Sequence, residues 1–306
     1  MSLDQAAVVA KLRSLTHKFD VGMKEAKPFY PELCTIVPSD GADEEYGLLG
    51  SVPAVREWIG DRNFKDVRAA KFTIENKEFE ASLAIKRTHI EDDRLGLYGP
   101  LMKRLGMRAM RHPDKLLFTL INGAESLPCF DGQSFFDTDH EWGDSGSQSN
   151  DLTFDATSHT AVTSTEFRDA YHLAREAMVS FKDDQGELLV EPIVEGNSKL
   201  LVLVNPRLEK VAKEALYAPL VGGGNTNVVI DPPRIVSSAL YTATTKFDLY
   251  NLADPLLPYI FQPRRKLMRQ MKGWEDRENK DVKFMADARY NVGFGAWWNA
   301  VRTTFN

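Results

Sequence analysis

Lys199-Leu200-Leu201-Val202-Leu203-Val204-Asn205-Pro206 is the stretch on which the fold class turns. Its five consecutive apolar residues are too few to cross a bilayer and too continuous for a half-wet strand, so they read as a buried strand. Asn205 offers a side-chain cap, and Pro206 sits at the first helical position, where a missing N–H costs nothing. Leu208, Val211, Ala212, Ala215 and Leu216 then recur at helical spacing. Upstream, Thr163 and Glu166 have the spacing of a capping box, and Phe167, Ala170, Tyr171, Ala174, Met178 and Phe181 form one helical face. Downstream, Val228-Val229-Ile230 reads as the next strand. Helix, strand, helix, strand makes an α/β layer.

Toward the N-terminus the pattern changes. Residues 3–19 read as an amphipathic helix, with Ser2 and Gln5 at its start. Residues 20–50, broken by Pro28, Pro31 and Pro38, read as extended and irregular. Residues 52–88 read as β. Val52 to Ile59 suggests one strand, 60–63 a turn, and Phe72 and Ile74 alternate with polar neighbours. Phe79, Ala81, Leu83 and Ile85 then alternate strictly, giving one apolar and one wet face. A two-stranded arm of this kind is unstable alone and invites docking on a neighbour. Residues 96–122 read as a long helix that Pro113 kinks or restarts and Gly123 ends. Residues 124–160 read as loop, and the tail repeats short β signals at 247–250, 259–262, 282–288 and 290–294. The sum is an α+β chain with a protruding arm.

Composition narrows the function. Across 306 residues the net charge is −6, with 43% hydrophobic and 27% charged residues, as in ordinary globular proteins. This is not the basic footprint of a dedicated DNA-binding protein. The opening residues lack a basic stretch followed by an apolar one, so no secretion signal is expected. Cys34 and Cys129 lie far apart, without metal-ligand spacing, and read as reduced thiols. Candidate chemistry is sparse. Gly143-Asp144-Ser145-Gly146 matches the tetrapeptide around a serine-protease nucleophile, but without a histidine in that context. Asp131, Asp137, Asp139 and His140 offer a possible divalent-ion set; loop closure uses the same residue types. Gly222-Gly223-Gly224-Asn225 lacks the Gly-Lys-Ser/Thr of a phosphate loop and reads as a hinge or tip. Arg264-Arg265-Lys266 with Arg269 is a basic cluster suited to a solvated face or a subunit contact. Phe294, Trp297, Trp298 and Phe305 read as core or interface. No catalytic, metal or cofactor site is expected.

Five segments in order carry a resemblance: Trp58-Ile59-Gly60-Asp61-Arg62, Phe79-Glu80-Ala81, Ile90-Glu91-Asp92-Asp93, His112-Pro113-Asp114, and Asp131-Gly132-Gln133-Ser134-Phe135-Phe136-Asp137-Thr138-Asp139-His140. Together they resemble the major head subunit of Mu-like phages and prophages. The resemblance implies a Hong-Kong-97-type capsid fold. Residues 1–50 would be an N-terminal arm and 51–88 an extended loop. Residues 89–149 and 244–306 would form a peripheral domain with a long spine helix, and 150–243 an axial domain. It implies a structural protein that forms hexamers and pentamers of an icosahedral head around double-stranded DNA, assembled in the host cytoplasm. A separate scaffolding protein, a portal protein and decoration proteins are the expected partners, with no membrane. An encapsulin-type nanocompartment shell is the alternative. On this reading Trp58, Arg62, Phe64, Lys71, Phe79, Arg264 and Arg265 are expected at inter-subunit contacts. No motif identifies a covalent cross-linking pair.

Overall fold

The apolar run at 200–204 is strand β6 (Leu200–Val204), buried at every position. The computed structural model describes residues 5–47, 71–91, 94–189, 199–221, 224–227, 229, 232–272 and 281–306. In it β6 lies inside a five-stranded sheet ordered β5 (Asp151–Phe154), β13 (Ala300–Phe305), β10 (Lys246–Asn251), β6, β9 (Arg234–Ser237). The asparagine cap forms as expected: the Asn205 side chain accepts the Arg207 N–H at 3.0 Å and opens α7 (Pro206–Tyr217). The Thr163–Glu166 capping box opens α6 (Ser164–Ser180). Backbone and side-chain donors of Thr163 and Thr157 hold the Glu166 carboxyl down at about 2. The strand that returns parallel to β6 is β9, not 228–230. Val229 is outside any strand, Val228 and Ile230 lie outside the described residues, and Pro232-Pro233 delays the strand by withholding two N–H donors.

A second sheet runs β1 (Cys34–Ile36), β11 (Tyr259–Lys272), β12 (Asp281–Phe294), β4 (Lys77–Lys86). β11 and β12 are far longer than the short tail strands expected. Pro263 and the basic residues after it mask the alternation, and the ladder absorbs them as register shifts at Pro263/Arg265 and Arg265/Met268. β5 corrects the expectation of loop across 124–160, and β13, which sequence periodicity did not single out, completes the core.

The arm also differs from expectation. β3 (Lys71–Glu75) and β4 do not pair with each other. β3 pairs antiparallel with β2 (Asp43–Gly47), and β4 pairs with β12. The ribbon therefore rises from residues expected to be irregular, and Val52–Ile59 with its following turn lies outside the described residues. A small hairpin pairs β7 (Leu220–Val221) with β8 (Asn225–Thr226), with Gly224 at φ 81°, while Gly222 and Gly223 of the glycine run lie outside the described residues.

The helices cover the second sheet. α1 runs Gln5–Glu25, past the expected end at 19, and a short α2 (Tyr30–Leu33) follows. The long helix expected over 96–122 is two. After α3 (Arg87–Glu91), α4 (Tyr98–Met110) and α5 (His112–Asn122) meet at Arg111, with Pro113 in the first turn of α5. Leu15 and Phe19 of α1 pack with Met102 of α4 on Ile85, Val282, Phe284 and Ala286. Two glycines set how closely α1 crosses α4. A Cβ on Gly22 would lie 2.0 Å from the Lys103 carbonyl oxygen, and one on Gly106 would lie 2.2 Å from that of Phe19. We expect Gly106→Ala to lift α1 and cost about 1–3 kcal/mol. Thermal denaturation and faster proteolysis within α1 check this.

Candidate assembly site

Three structures decide what the chain can present to a partner: a buried knot at 131–150, a buried ion-pair network beside it, and the foot of the β2–β3 ribbon. The knot closes the loop expected at 124–160. Asp131 Oδ2 meets His140 Nδ1 at 2.6 Å, and both side chains are buried. His140 Nε2 faces Asn150 Oδ1 at 3.2 Å, and the ring stacks on Trp297 at 3.9 Å and 5°. Asn150 Nδ2 donates to the carbonyls of Phe135 and Trp297, which fixes the orientation of its amide. Phe135 stacks on Phe294 at 4.7 Å. The sequence's candidate metal ligands are thus spent on closure. Asp137 accepts the N–H groups of Ser134 and Thr138, Asp139 accepts the Ser147 hydroxyl, and His140 has both ring nitrogens engaged. Ser145 Oγ accepts the Trp142 N–H at 2.9 Å and donates to the Gly146 carbonyl at 2.8 Å, so its hydroxyl builds a turn. Burial pushes the Cys34 and Cys129 thiols well up, leaving them unreactive.

His112-Pro113-Asp114 is equally structural. His112 Nδ1 meets the Tyr290 hydroxyl at 2.8 Å. Asp114 Oδ1 accepts the N–H groups of Phe29 and Tyr30, holding the chain ahead of α2 against α5.

Arg302 and Asp248 occupy directly opposed positions on β13 and β10. Their side chains are 3% and 0% exposed, with Arg302 Nε 2.7 Å from Asp248 Oδ1. A second bond joins Nη2 to Oδ2 at 2.8 Å. Arg302 also donates to the Ile121 carbonyl and to Glu125, and its guanidinium lies 4.1 Å from the centroid of the Phe136 ring. Tyr241 and Tyr250 donate to the same Asp248 carboxylate, and burial pushes both phenols well up. Beside this network, burial and then the charge of Glu125 raise the half-buried Asp151 to about 6.

The ribbon foot is bolted to the body. Tyr46 donates to the side chain of buried Gln262 at 2.7 Å, and Gln262 donates to the Ile74 carbonyl at 3.1 Å. Ile74 packs against Gly293, where an added Cβ would lie 2.3 Å from Ile74 Cδ1. Burial raises the Tyr46 phenol to about 12. Sequence reading missed the role of Gln262; its one signal was a polar residue directly after Tyr259-Ile260-Phe261.

Of the residues expected at subunit contacts, Trp58, Arg62 and Phe64 lie outside the described residues. Lys71 opens β3. Phe79 is half-buried within its own chain, 4.6 Å from the His112 ring centroid and 4.9 Å from that of Tyr290. Arg264 reaches Asp40 at 3.4 Å, and Arg265 reaches Asp287 at 2.5 Å. Arg269 of the same cluster pairs with Asp20 of α1 at 2.6 Å. The basic cluster is therefore largely neutralised inside the chain.

Comparison with known proteins gives this architecture its class. The procapsid of bacteriophage JBD30 matches over 99% of this chain and 76% of its own, with TM-score 0.57 and 28% identity. The fold is the Hong-Kong-97-type capsid fold. In sequence, the major capsid protein of Escherichia phage Mu is 36% identical over 140 residues, which is 46% of each chain. The FluMu prophage major head subunit of Haemophilus influenzae is 40% identical over 125 residues, 41% of each chain. The match thus spans less than half the length of either relative. The model of the Mu-like prophage major head subunit gpT family matches residues 9–166, and the chain belongs to that family.

Two predictions follow from the buried network. Arg302→Met leaves the Asp248 carboxylate buried without its cation, and unfolding in urea should show a loss of about 3–5 kcal/mol. Asp151 is the opposite case. Its folded pKa is raised, so between about 4 and 6 the folded chain binds more protons than the unfolded one. Its contribution to stability therefore falls as pH rises through that window and stays reduced above it. Asp151→Asn should raise the melting temperature at pH 7.5 and leave it nearly unchanged at pH 4.

Proposed function

We propose that this chain is the shell-forming subunit of a tailed-phage head, packing with its own copies as hexamers and pentamers around double-stranded DNA. The observation that carries the reading is the β2–β3 ribbon. Its foot is fixed to the body by Tyr46, Gln262 and Ile74, and residues 48–70 run between its two strands, so the chain holds a rigid base for an extended loop. Family membership and the capsid fold support the same reading. On this reading the loop's base spans 43–75, with its strands ahead of β4. The four-stranded sheet with α1 and α4 is then the peripheral domain. The five-stranded sheet with α6 and α7 is the axial domain, which takes in 246–251 and 300–305 as well as 150–243. A separate scaffolding protein, a portal and decoration proteins remain the partners we assign, with assembly in the host cytoplasm. Among the described residues no helix is long and apolar enough to cross a membrane. The encapsulin-type alternative has less support, because the sequence matches reported above are to phage head subunits.

Negative-stain microscopy of the overexpressed chain, with and without its scaffold, tests this. Closed shells are expected; tubes, rings or persistent monomers count against it, and shells holding an enzyme cargo without DNA favour the alternative. Deleting residues 60–66 should leave circular dichroism unchanged while abolishing closed shells, and normal shells from that variant would remove the loop from the assembly mechanism.

A further inference from the structure

The basic cluster that the sequence brings forward is matched internally, so cationic surface must be sought elsewhere. It lies on the two crossed helices. α4 carries Lys103, Arg104 and Arg108 and no acidic residue. Away from the glycine crossing, α1 and α4 enclose a groove of about 520 Å³, lined on one side by Lys11, Ser14, Leu15 and Lys18 and on the other by Gly99 and Lys103. Among the described residues no carboxylate lines it. Lys11 and Lys18 are seven residues apart on one helix, so they share a face with about 10 Å between them. Lys103 reaches Glu25 at 2.6 Å, and Lys11 reaches the Ile90 carbonyl at 3.5 Å. Leu97, 79% exposed, and Leu101 add apolar surface in the same helix-start segment, which suits a protein partner better than bare phosphate.

The complementary charge is on the ribbon foot. Asp43 stands directly opposite Glu75 in the β2–β3 ladder, and both are exposed. Like charges directly opposed destabilise a strand pair. Among the described residues neither carboxylate has an ion-pair partner. Glu45, two residues along β2, lies on the same face, while Tyr46 and Ile74 point into the body. A chain cannot seat its own ribbon foot in its own groove. The foot packs on β12 at Gly293, whereas α1 packs on β12 near Phe284, about 30 Å away along the strand.

We propose that the lysine groove between α1 and α4 receives the carboxylate face of the β2–β3 ribbon, Asp43, Glu45 and Glu75, from a second copy of this chain. The contact rests on the shell-forming reading and gives it one named pair of surfaces. It is electrostatic and solvent-exposed, so each pair is weak and reversible.

Charge exchange tests it on the full-length chain. Lys11→Glu with Lys18→Glu, and separately Asp43→Lys with Glu75→Lys, should each cut the yield of closed shells about tenfold on a sedimentation gradient, because like charges then face each other. Melting temperatures should stay near that of the parent. Combining all four substitutions should return the yield to within about threefold of the parent, since the attraction is restored with its sign reversed. Lys11→Gln with Lys18→Gln supplies a milder variant, expected to fall between the two. Unchanged yield in the folded groove variants overturns the contact, as does a folded fourfold variant that fails to recover. A groove loss that appears only when scaffold or DNA is supplied also overturns it, in favour of that other partner. Shell formation by the parent chain with indifferent variants sinks this contact alone, whereas a parent that never forms shells removes the shell-forming reading as well.

Discussion

The Arg302–Asp248 pair sets the terms for the rest of the molecule. Taking a guanidinium and a carboxylate out of water costs several kcal/mol each, and their attraction offsets that only when geometry and further hydrogen bonds are complete. Here they are. Two parallel bonds join the pair, Tyr241 and Tyr250 complete the carboxylate, and the Ile121 carbonyl, Glu125 and the Phe136 ring complete the guanidinium. Because Arg302 and Asp248 oppose each other in the β10–β13 ladder, a slip of one residue would turn one of them to the other face. The pair therefore fixes register more than it adds stability, and it ties α5, the loop after it and the five-stranded sheet into one body.

That constraint gives the 131–140 block its physical sense. Phe136 lies against Arg302, Phe135 stacks on Phe294, and His140 stacks on Trp297. The loop is the plug between the two sheets: Asp131 and His140 pair in its buried part with Asn150, while Thr138 and Asp139 stay exposed. A segment that looks like a ligand set in one dimension is a packing element in three. The same holds for Asp114, whose carboxylate holds Phe29 and Tyr30.

Much of the interior was legible from sequence. The β6–α7 step, the α6 capping box and the restart at Pro113 announce themselves because the residues that make them are neighbours in the chain. The missed elements depend on distant partners. β2 reads Asp43-Glu44-Glu45-Tyr46-Gly47, which has no strand periodicity of its own; it becomes a strand because β3 lies beyond residue 70. β1 pairs in parallel with β11, more than two hundred residues away. β11 carries Pro263 and three successive basic residues that its bulges accommodate. Alternation over 52–88 supplied the idea of an arm, but strict alternation at 79–85 reports a wet-and-dry face and not which strand shares it: β4 pairs with β12, and β3 with β2.

The distribution of charge separates folding from association. Two buried pairs close within the chain: Arg302 with Asp248, and His140 with Asp131. Half-exposed cations on the long strand are also matched, by Asp40, Asp287 and Asp20. Among the described residues, the charges outside these pairings include Lys18 on α1 and the Asp43–Glu75 couple at the ribbon foot, held on rigid elements far apart along β12. Exposed pairs contribute at most about 1 kcal/mol each, too little to hold two subunits on one contact but enough to bias many contacts at once. On the shell-forming reading we propose, a shell built from such contacts corrects its errors during growth, because each wrong contact is released cheaply. The strong interactions belong in the subunit's interior, where register has to be unique, and the weak ones on its rim.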